Sequence, residues 1–301
     1  MNLPVNIPIQ EIDDVLFREK SVRVFLKRED LLHDDISGNK WRKLKYNLQS
    51  AQSKNLKTLV TFGGAFSNHI SATAAAGKEF GFKTVGVIRG EEHFPLNPTL
   101  DYAQSCGMEL RYVDRSAYRV KTTKDFEAKY LSDLEPYYLI PEGGTNALAI
   151  KGCEEILSDV NFDFDVVCCS CGTGGTVSGL INSLEPHQSA LAFSSLKGAE
   201  FLIDEIQKFA QNSQWSLNVD YHFGGYAKVD RILVDFMNRF KSKHHISLDP
   251  IYTGKMMYGL CDLIENDYFR RDSNIIAIHT GGLQGVLGMN ERIKDKGLQI
   301  L

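Results

Sequence analysis

Short apolar, β-branched runs alternate along this chain with longer stretches in which apolar residues return every three or four positions. The first kind predicts strands and the second amphipathic helices. "VRVFLK" (residues 22–27) alternates as a strand and leads through "REDLLHDDISGNK" into residues 41–51, where Leu44, Leu48 and Ala51 fall at helical spacing. There follow strand-like "KTLVTF", a helix opening at Ser67, strand-like "KTVGVIR", a helix over 97–106, "MELRYV", a helix over 123–134, and "YYLIPEGG". Four short strands with helices between them suit a small parallel sheet covered on both faces.

A second series repeats the pattern. It comprises a helix over 147–157, "FDVVCCS", a helix after Gly175, "LAFSSLKG", a helix over 199–209, "LNVDYHF", a helix over 230–241, and "NIIAIHTGG" with a short closing helix. The change of series places a boundary between residues 140 and 151. Glycines and hydroxyls recur at strand ends: Gly63 and Gly64, 172–175, Gly224 and Gly225, Gly281 and Gly282. In doubly wound sheets, that edge is where ligands bind.

Composition narrows the chemistry. With 301 residues, 43% hydrophobic and 24% charged, the chain is long enough for two cores. A net charge of -4, with Lys and Arg scattered, gives no basic surface for a phosphate backbone, so nucleic acid is not an expected partner. The N-terminal stretch has no basic start followed by an apolar run, and no window approaches about 18 uninterrupted apolar residues. No membrane association and a cytoplasmic location are expected. Cys168, Cys169 and Cys171 crowd one strand, where neighbours face opposite ways, and no further ligands follow at zinc spacing. Reduced, buried thiols and no metal are expected.

"SCGTGGTVSGL" follows an apolar strand and opens a helix, so its free N–H groups and the positive helix end would cradle a phosphate. A P-loop would close with Lys and Ser/Thr, and a dinucleotide fingerprint would need a third glycine where Val177 stands. A monophosphate cup fits better. "DDISGNKWRKL" puts Lys40 at the start of a helix, where the dipole disfavours its charge and would free a neutral amine. Standing among Lys43 and Lys45, such a lysine alone reads as solvated; the cup elsewhere changes that. "GGAFSNHISATAAAGKEFG" reads alone as a helix capped by Ser67 or Asn68. A phosphate loop with an activated lysine points to pyridoxal phosphate held as a Schiff base.

Together "SGNKWRKL", "GGAFSNHISATAAA", "CGTGGTVSGL", "YTGKMMYGL" and "HTGG" resemble the fold type II pyridoxal-phosphate enzymes. Within them they resemble the group of 1-aminocyclopropane-1-carboxylate (ACC) deaminase and D-cysteine desulfhydrase, over residues 26–285. The resemblance implies an α/β fold of two open, mostly parallel twisted sheets with helices on both faces and the cofactor in the cleft between them. Residues 1–48 and 146–301 would form the larger, cofactor-binding domain and 49–145 a smaller one inserted in it. It implies that Lys40 carries the cofactor, that Asn68 bonds its phenolic oxygen, and that Gly172, Thr173, Gly174, Gly175 and Thr176 hold its phosphate. Thr280 would meet the pyridine nitrogen. Ser67, with the N–H groups of Asn68 and His69, would take the substrate carboxylate and make Ser67 a candidate for proton handling; Tyr226 and Tyr252 would face the substrate. A homodimer is implied as well.

The ACC deaminases carry "YEGK" and "SNQ", whereas this chain reads Tyr252-Thr253-Gly254-Lys255 and Ser67-Asn68-His69, as the desulfhydrase branch does. A glutamate beside the ring nitrogen would supply the strong electron sink that ring opening needs; Thr253 cannot. The expectation is therefore a lyase acting on a small amino acid, D-cysteine to pyruvate, sulfide and ammonia. ACC deamination, or elimination or racemisation of D-serine or another polar amino acid, are the alternatives, and a non-catalytic phosphate-ligand module on the same fold is a third reading, disfavoured by Lys40.

Overall fold

The computed structural model describes residues 7–134 and 136–301; residues 1–6, with which the stretch read for a leader begins, lie outside the described residues. Among the described residues, ten strands form two sheets. The larger has the order β1 (Ile9–Glu11), β2 (Arg23–Lys27), β10 (Asn274–Ile278), β7 (Val166–Cys171), β8 (Ser189–Ser194) and β9 (Trp215–Asn218). All neighbours run parallel except β1, antiparallel to β2. The smaller, wholly parallel sheet has the order β5 (Glu109–Val113), β4 (Lys83–Arg89), β3 (Thr58–Gly63) and β6 (Tyr138–Ile140).

Central strands show why their sequence lacks alternation. In β10, Ile275 and Ala277 enter one core while Ile276 and Ile278 enter the core on the opposite face. Cys168 divides from Cys169 and Cys171 in the same way, and all three are buried free thiols. A strand covered on both faces has no solvent side to mark with polar residues.

Both sheets reverse direction of winding. The chain leaves β3 for β4 and β5, then returns to place β6 on the other side of β3; likewise β8 and β9 lie to one side of β7, and β10 to the other. The crevices at those reversals open at the carboxyl ends of β3, β6, β7 and β10, where the glycine-rich loops lie.

Helix Asn39–Ser53 follows β2 and buries Trp41, Leu44, Leu48 and Ala51 against Leu59, Tyr138 and Ile140 of the small sheet. Buried Glu29 accepts two bonds from Arg42 (2.9 and 3.0 Å), which pins the helix's first turns.

Three local expectations are corrected. Thr253–Glu265 is a helix that the sequence reading passed over, although Met257, Leu260 and Ile264 carry helical spacing. The strand expected through "LNVDYHF" ends at Asn218, whose side chain takes the Asp220 N–H (2.9 Å) and turns the chain out of the sheet. The helix expected over 199–209 is confined to Leu202–Gln207.

Candidate active site

One cavity of about 360 Å³ opens at the carboxyl ends of both sheets, and all twelve residues singled out from sequence line it. They reach it from six separate segments: Lys40, Ser67 to His69 after β3, 172–176 after β7, Tyr226, Tyr252, and Thr280 after β10.

Lys40 is placed by its neighbour. Gly38 adopts φ 64° and ψ -140° as the cap of the Asn39–Ser53 helix, a conformation that favours glycine. A Cβ there would meet the Thr280 carbonyl oxygen at 2.0 Å, and the Asn39 N–H donates to that same oxygen at 3.3 Å. The helix start is thereby packed against the β10 end, with Lys40 facing the cavity. Its partial exposure is to the cavity; burial, followed by the charge of Lys43, lowers its pKa from 10.5 to about 7. The sequence argument gave the direction through the helix dipole, but tertiary burial is the leading cause.

Lys43 is the residue that sequence reasoning missed. Rather than being one more solvated lysine, it is buried, and its Nζ donates to Gly143 O (3.0 Å), Thr145 Oγ1 (3.2 Å) and Thr173 Oγ1 (3.4 Å). No described carboxylate forms an ion pair with it, and burial lowers its pKa. A signal existed: position 43 follows 40 by three, on the same helical face.

The 172–176 loop meets this cation. Gly174, at φ 79°, caps helix Gly175–Asn182, whose first amides precede any intrahelical partner. Asn39 Nδ2 donates to Thr176 Oγ1 (2.8 Å), and Thr145 and Thr173 share a hydroxyl bond of 2.7 Å, so the loop is tied to both neighbouring segments. A Cβ on Gly175 would stand 2.7 Å from Thr145 Oγ1 and 3.0 Å from Lys43 Nζ. The cup is closed by glycine and charged from beneath.

Across the cavity Ser67 caps helix Asn68–Phe80, its Oγ accepting the Ile70 N–H at 3.3 Å. That leaves the Asn68 and His69 amides, which precede the first intrahelical bond, for an anion. Asn68 Oδ1 accepts from Gln284 Nε2 (2.6 Å), which orients its amide nitrogen toward Gly282. The His69 ring is buried. Thr61 spends its hydroxyl proton on Ile140 O (2.9 Å) and so accepts from His69 Nε2–H (2.8 Å), leaving Nδ1 as a lone-pair acceptor with no partner among the described residues. Burial first, then Lys40 and Lys43, hold its pKa well below 6.5 and keep the ring neutral.

Tyr252 and Tyr226 stand edge to face, 6.2 Å between centroids. A Cβ on Gly172 would lie 3.2 Å from the Tyr252 hydroxyl, so this phenol reaches the mouth of the cup. Burial raises both phenols, which therefore remain O–H donors at neutral pH. Fully buried Asp249, also absent from the sequence reading, places this corner by accepting the N–H groups of Ile251 (2.9 Å), Tyr252 (3.0 Å) and Thr253 (2.7 Å). On the β10 side Thr280 Oγ1 lies 3.4 Å from both Ser170 Oγ and Thr253 Oγ1, a cluster of neutral hydroxyls.

These features fit the chemistry of pyridoxal phosphate: an amine poised to be neutral, a glycine cup beside a buried cation suited to a phosphate, and a cluster of neutral hydroxyls able to meet a ring nitrogen. Comparison with known proteins agrees. The model of the family described as pyridoxal-phosphate dependent enzyme matches residues 5–281. A Thermotoga maritima protein named "Putative 1-aminocyclopropane-1-carboxylate deaminase" is 32% identical over 90% of this chain and 92% of its own. The bifunctional D-cysteine desulfhydrase/1-aminocyclopropane-1-carboxylate deaminase, mitochondrial, of Arabidopsis thaliana is 29% identical over 87% and 73%. A solved structure described as an ACC deaminase homologue superposes with a TM-score of 0.86, at 27% identity over 97% and 94% of the two chains.

Proposed function

The chain belongs to the pyridoxal-phosphate dependent enzymes, and on that premise we propose that it catalyses α,β-elimination from a small D-amino acid. In the reading we favour, D-cysteine and water give pyruvate, hydrogen sulfide and ammonia. The observation that carries this choice is the cluster of Thr280, Thr253 and Ser170, proposed to meet the ring nitrogen, which offers only neutral hydroxyls. Bound there, the cofactor supplies an electron sink for a carbanion at the substrate α-carbon. A neutral hydroxyl does not hold the ring protonated as a carboxylate would, which suits loss of an α-proton with departure of a thiolate better than opening a cyclopropane.

Lys40 would hold the cofactor and would take the α-proton on Nζ; an amine that titrates near 7 is matched to that task. Residues 172–176 and Lys43 would hold the cofactor's phosphate, Asn68 its phenolic oxygen, and Thr280 its ring nitrogen. Ser67 and the Asn68 and His69 amides bind the substrate carboxylate and fix its orientation. Tyr226 and Tyr252 face the substrate, and their protonated phenols donate to the departing sulfur. Residues 49–145 form the smaller domain of a cytoplasmic homodimer. Six free cysteines, five of them buried, support a reducing compartment.

The second reading, ACC deamination to 2-oxobutyrate and ammonia, is favoured by the relatives that bear that name. The test offers D-cysteine, L-cysteine, β-chloro-D-alanine and ACC to the purified holoenzyme and scores pyruvate, sulfide and 2-oxobutyrate, with Lys40→Ala as the inactive control. Pyruvate and sulfide from D-cysteine are expected. Dominant 2-oxobutyrate from ACC with no pyruvate from the D-amino acids overturns the desulfhydrase reading.

A further inference from the structure

The loop that brings Tyr226 to the cavity has a costly backbone. Phe223 (φ 50°), Gly224 (88°), Gly225 (111°) and Ala227 (52°) are all left-handed, and two of them carry a Cβ that this region disfavours. Backbone of this kind persists where its surroundings over-determine it.

Lys255 supplies such a constraint. It is the third residue of helix Thr253–Glu265, 1% exposed, and its Nζ donates to His222 O (2.9 Å) and Gly225 O (2.8 Å). A cation in the first turn faces the positive end of the helix, and no described carboxylate lies within ion-pair distance of this one. Neither helix formation nor charge pairing calls for a lysine here; two loop carbonyls do. Gly225 O belongs to the peptide bond that continues into Tyr226, so the clamp acts one bond from the tyrosine. The same helix turn carries Tyr252 as its cap, with the two rings 6.2 Å apart. Arg292 Nη1 holds the far side of the loop at Ala227 O (3.2 Å).

We propose that Lys255 is a positioning residue that registers Tyr226 against Tyr252 on the substrate side of the cavity. One helix start thereby sets both phenols, Tyr252 through the chain itself and Tyr226 through the ammonium. The inference rests on the reading of Tyr226 as a residue facing the substrate.

The test uses holoenzyme carrying Lys255→Met, Tyr226→Phe or both, with Lys255→Gln as a variant that keeps a shorter neutral donor. Three properties are read: the visible cofactor band, kcat and KM on the best substrate, and amide hydrogen exchange across residues 222–228. Lys255→Met is expected to keep the band and lower kcat about tenfold. In the Tyr226→Phe background it costs less than about twofold, the non-additivity of two residues acting as a unit. Exchange in the loop quickens at least about tenfold while the Asn39–Ser53 helix is unchanged. Should Lys255→Met not fold, Lys255→Gln carries the same cycle with a smaller loss. An equal kinetic loss in both backgrounds, or unaltered loop exchange, overturns the proposal. Because exchange is read without turnover, absence of activity on every substrate would count against the elimination reading and leave the clamp to be judged on exchange alone.

Discussion

With Lys40 proposed as the amine that captures the cofactor, its depressed pKa would govern how the protein acquires that cofactor. Capture of an aldehyde needs the neutral amine, and an ordinary lysine at 10.5 is neutral in only about three molecules per thousand at pH 8. With its pKa lowered to about 7, about nine in ten Lys40 side chains are neutral at that pH, a gain of roughly 300-fold. The sign follows from the direction of the shift. Below pH 7 the ammonium dominates and the capture rate should climb about tenfold per pH unit; above 7 the amine is already neutral and the rate should level off. Stopped-flow mixing of apoenzyme with pyridoxal phosphate, following the visible absorption band from pH 5.5 to 9.5, measures this directly, with Lys40→Ala as the variant that forms no band. Lys43→Met sharpens the test, because Lys43 is the second cause of the shift. Removing that like charge removes a cause of the depression, so the inflection should move up by about half to two pH units. A rate that keeps rising tenfold per unit through pH 9 in the unmodified protein would refute the reasoning.

Three further outcomes follow from the same geometry. Lys43→Met should weaken cofactor affinity at least about tenfold in an equilibrium titration, since a charge-assisted contact to phosphate is removed beneath the cup; unchanged affinity would place the ammonium outside the phosphate's reach. Gly152→Ala should cost about 1–3 kcal/mol in urea unfolding, because the new Cβ would stand 1.9 Å from the Arg42 carbonyl oxygen and force helices Ala147–Glu154 and Asn39–Ser53 apart. Glu29→Gln should cost about 3–5 kcal/mol by the same measurement, toward the lower end because Glu155 lies 3.7 Å from Arg42 Nη1 and retains part of the pairing; a change under about half a kcal/mol would deny the pair its anchoring role.

Much of the fold was legible because its signals are local. Short apolar runs marked β2, β3, β4, β7, β8 and β10, and glycines at strand ends marked the ligand edge. Helix Thr253–Glu265 escaped notice because Gly254, Lys255 and Gly259 break its first turns; in the folded protein those glycines admit the Asp249 and Tyr221 neighbours at 2.8 and 2.6 Å from where a Cβ would stand. For the candidate site, local pattern singled out Lys40, Ser67 and the 172–176 loop, while Tyr226, Tyr252 and Thr280 entered only through the family resemblance; all of them line one cavity.

What sequence by itself determined was chemical identity: a lysine at a helix start, a glycine loop suited to an anion, and a capped helix with free amides. Those are properties of a residue and its chain neighbours. What only tertiary structure decided was environment. Lys40 is acidified by burial and by Lys43, whose own burial no local pattern reveals, and His69 is fixed in one tautomer by Thr61 and the carbonyl of Ile140, seventy-nine residues apart. Desolvation and Coulomb interaction depend on distance through space, and that distance is set by how two sheets pack.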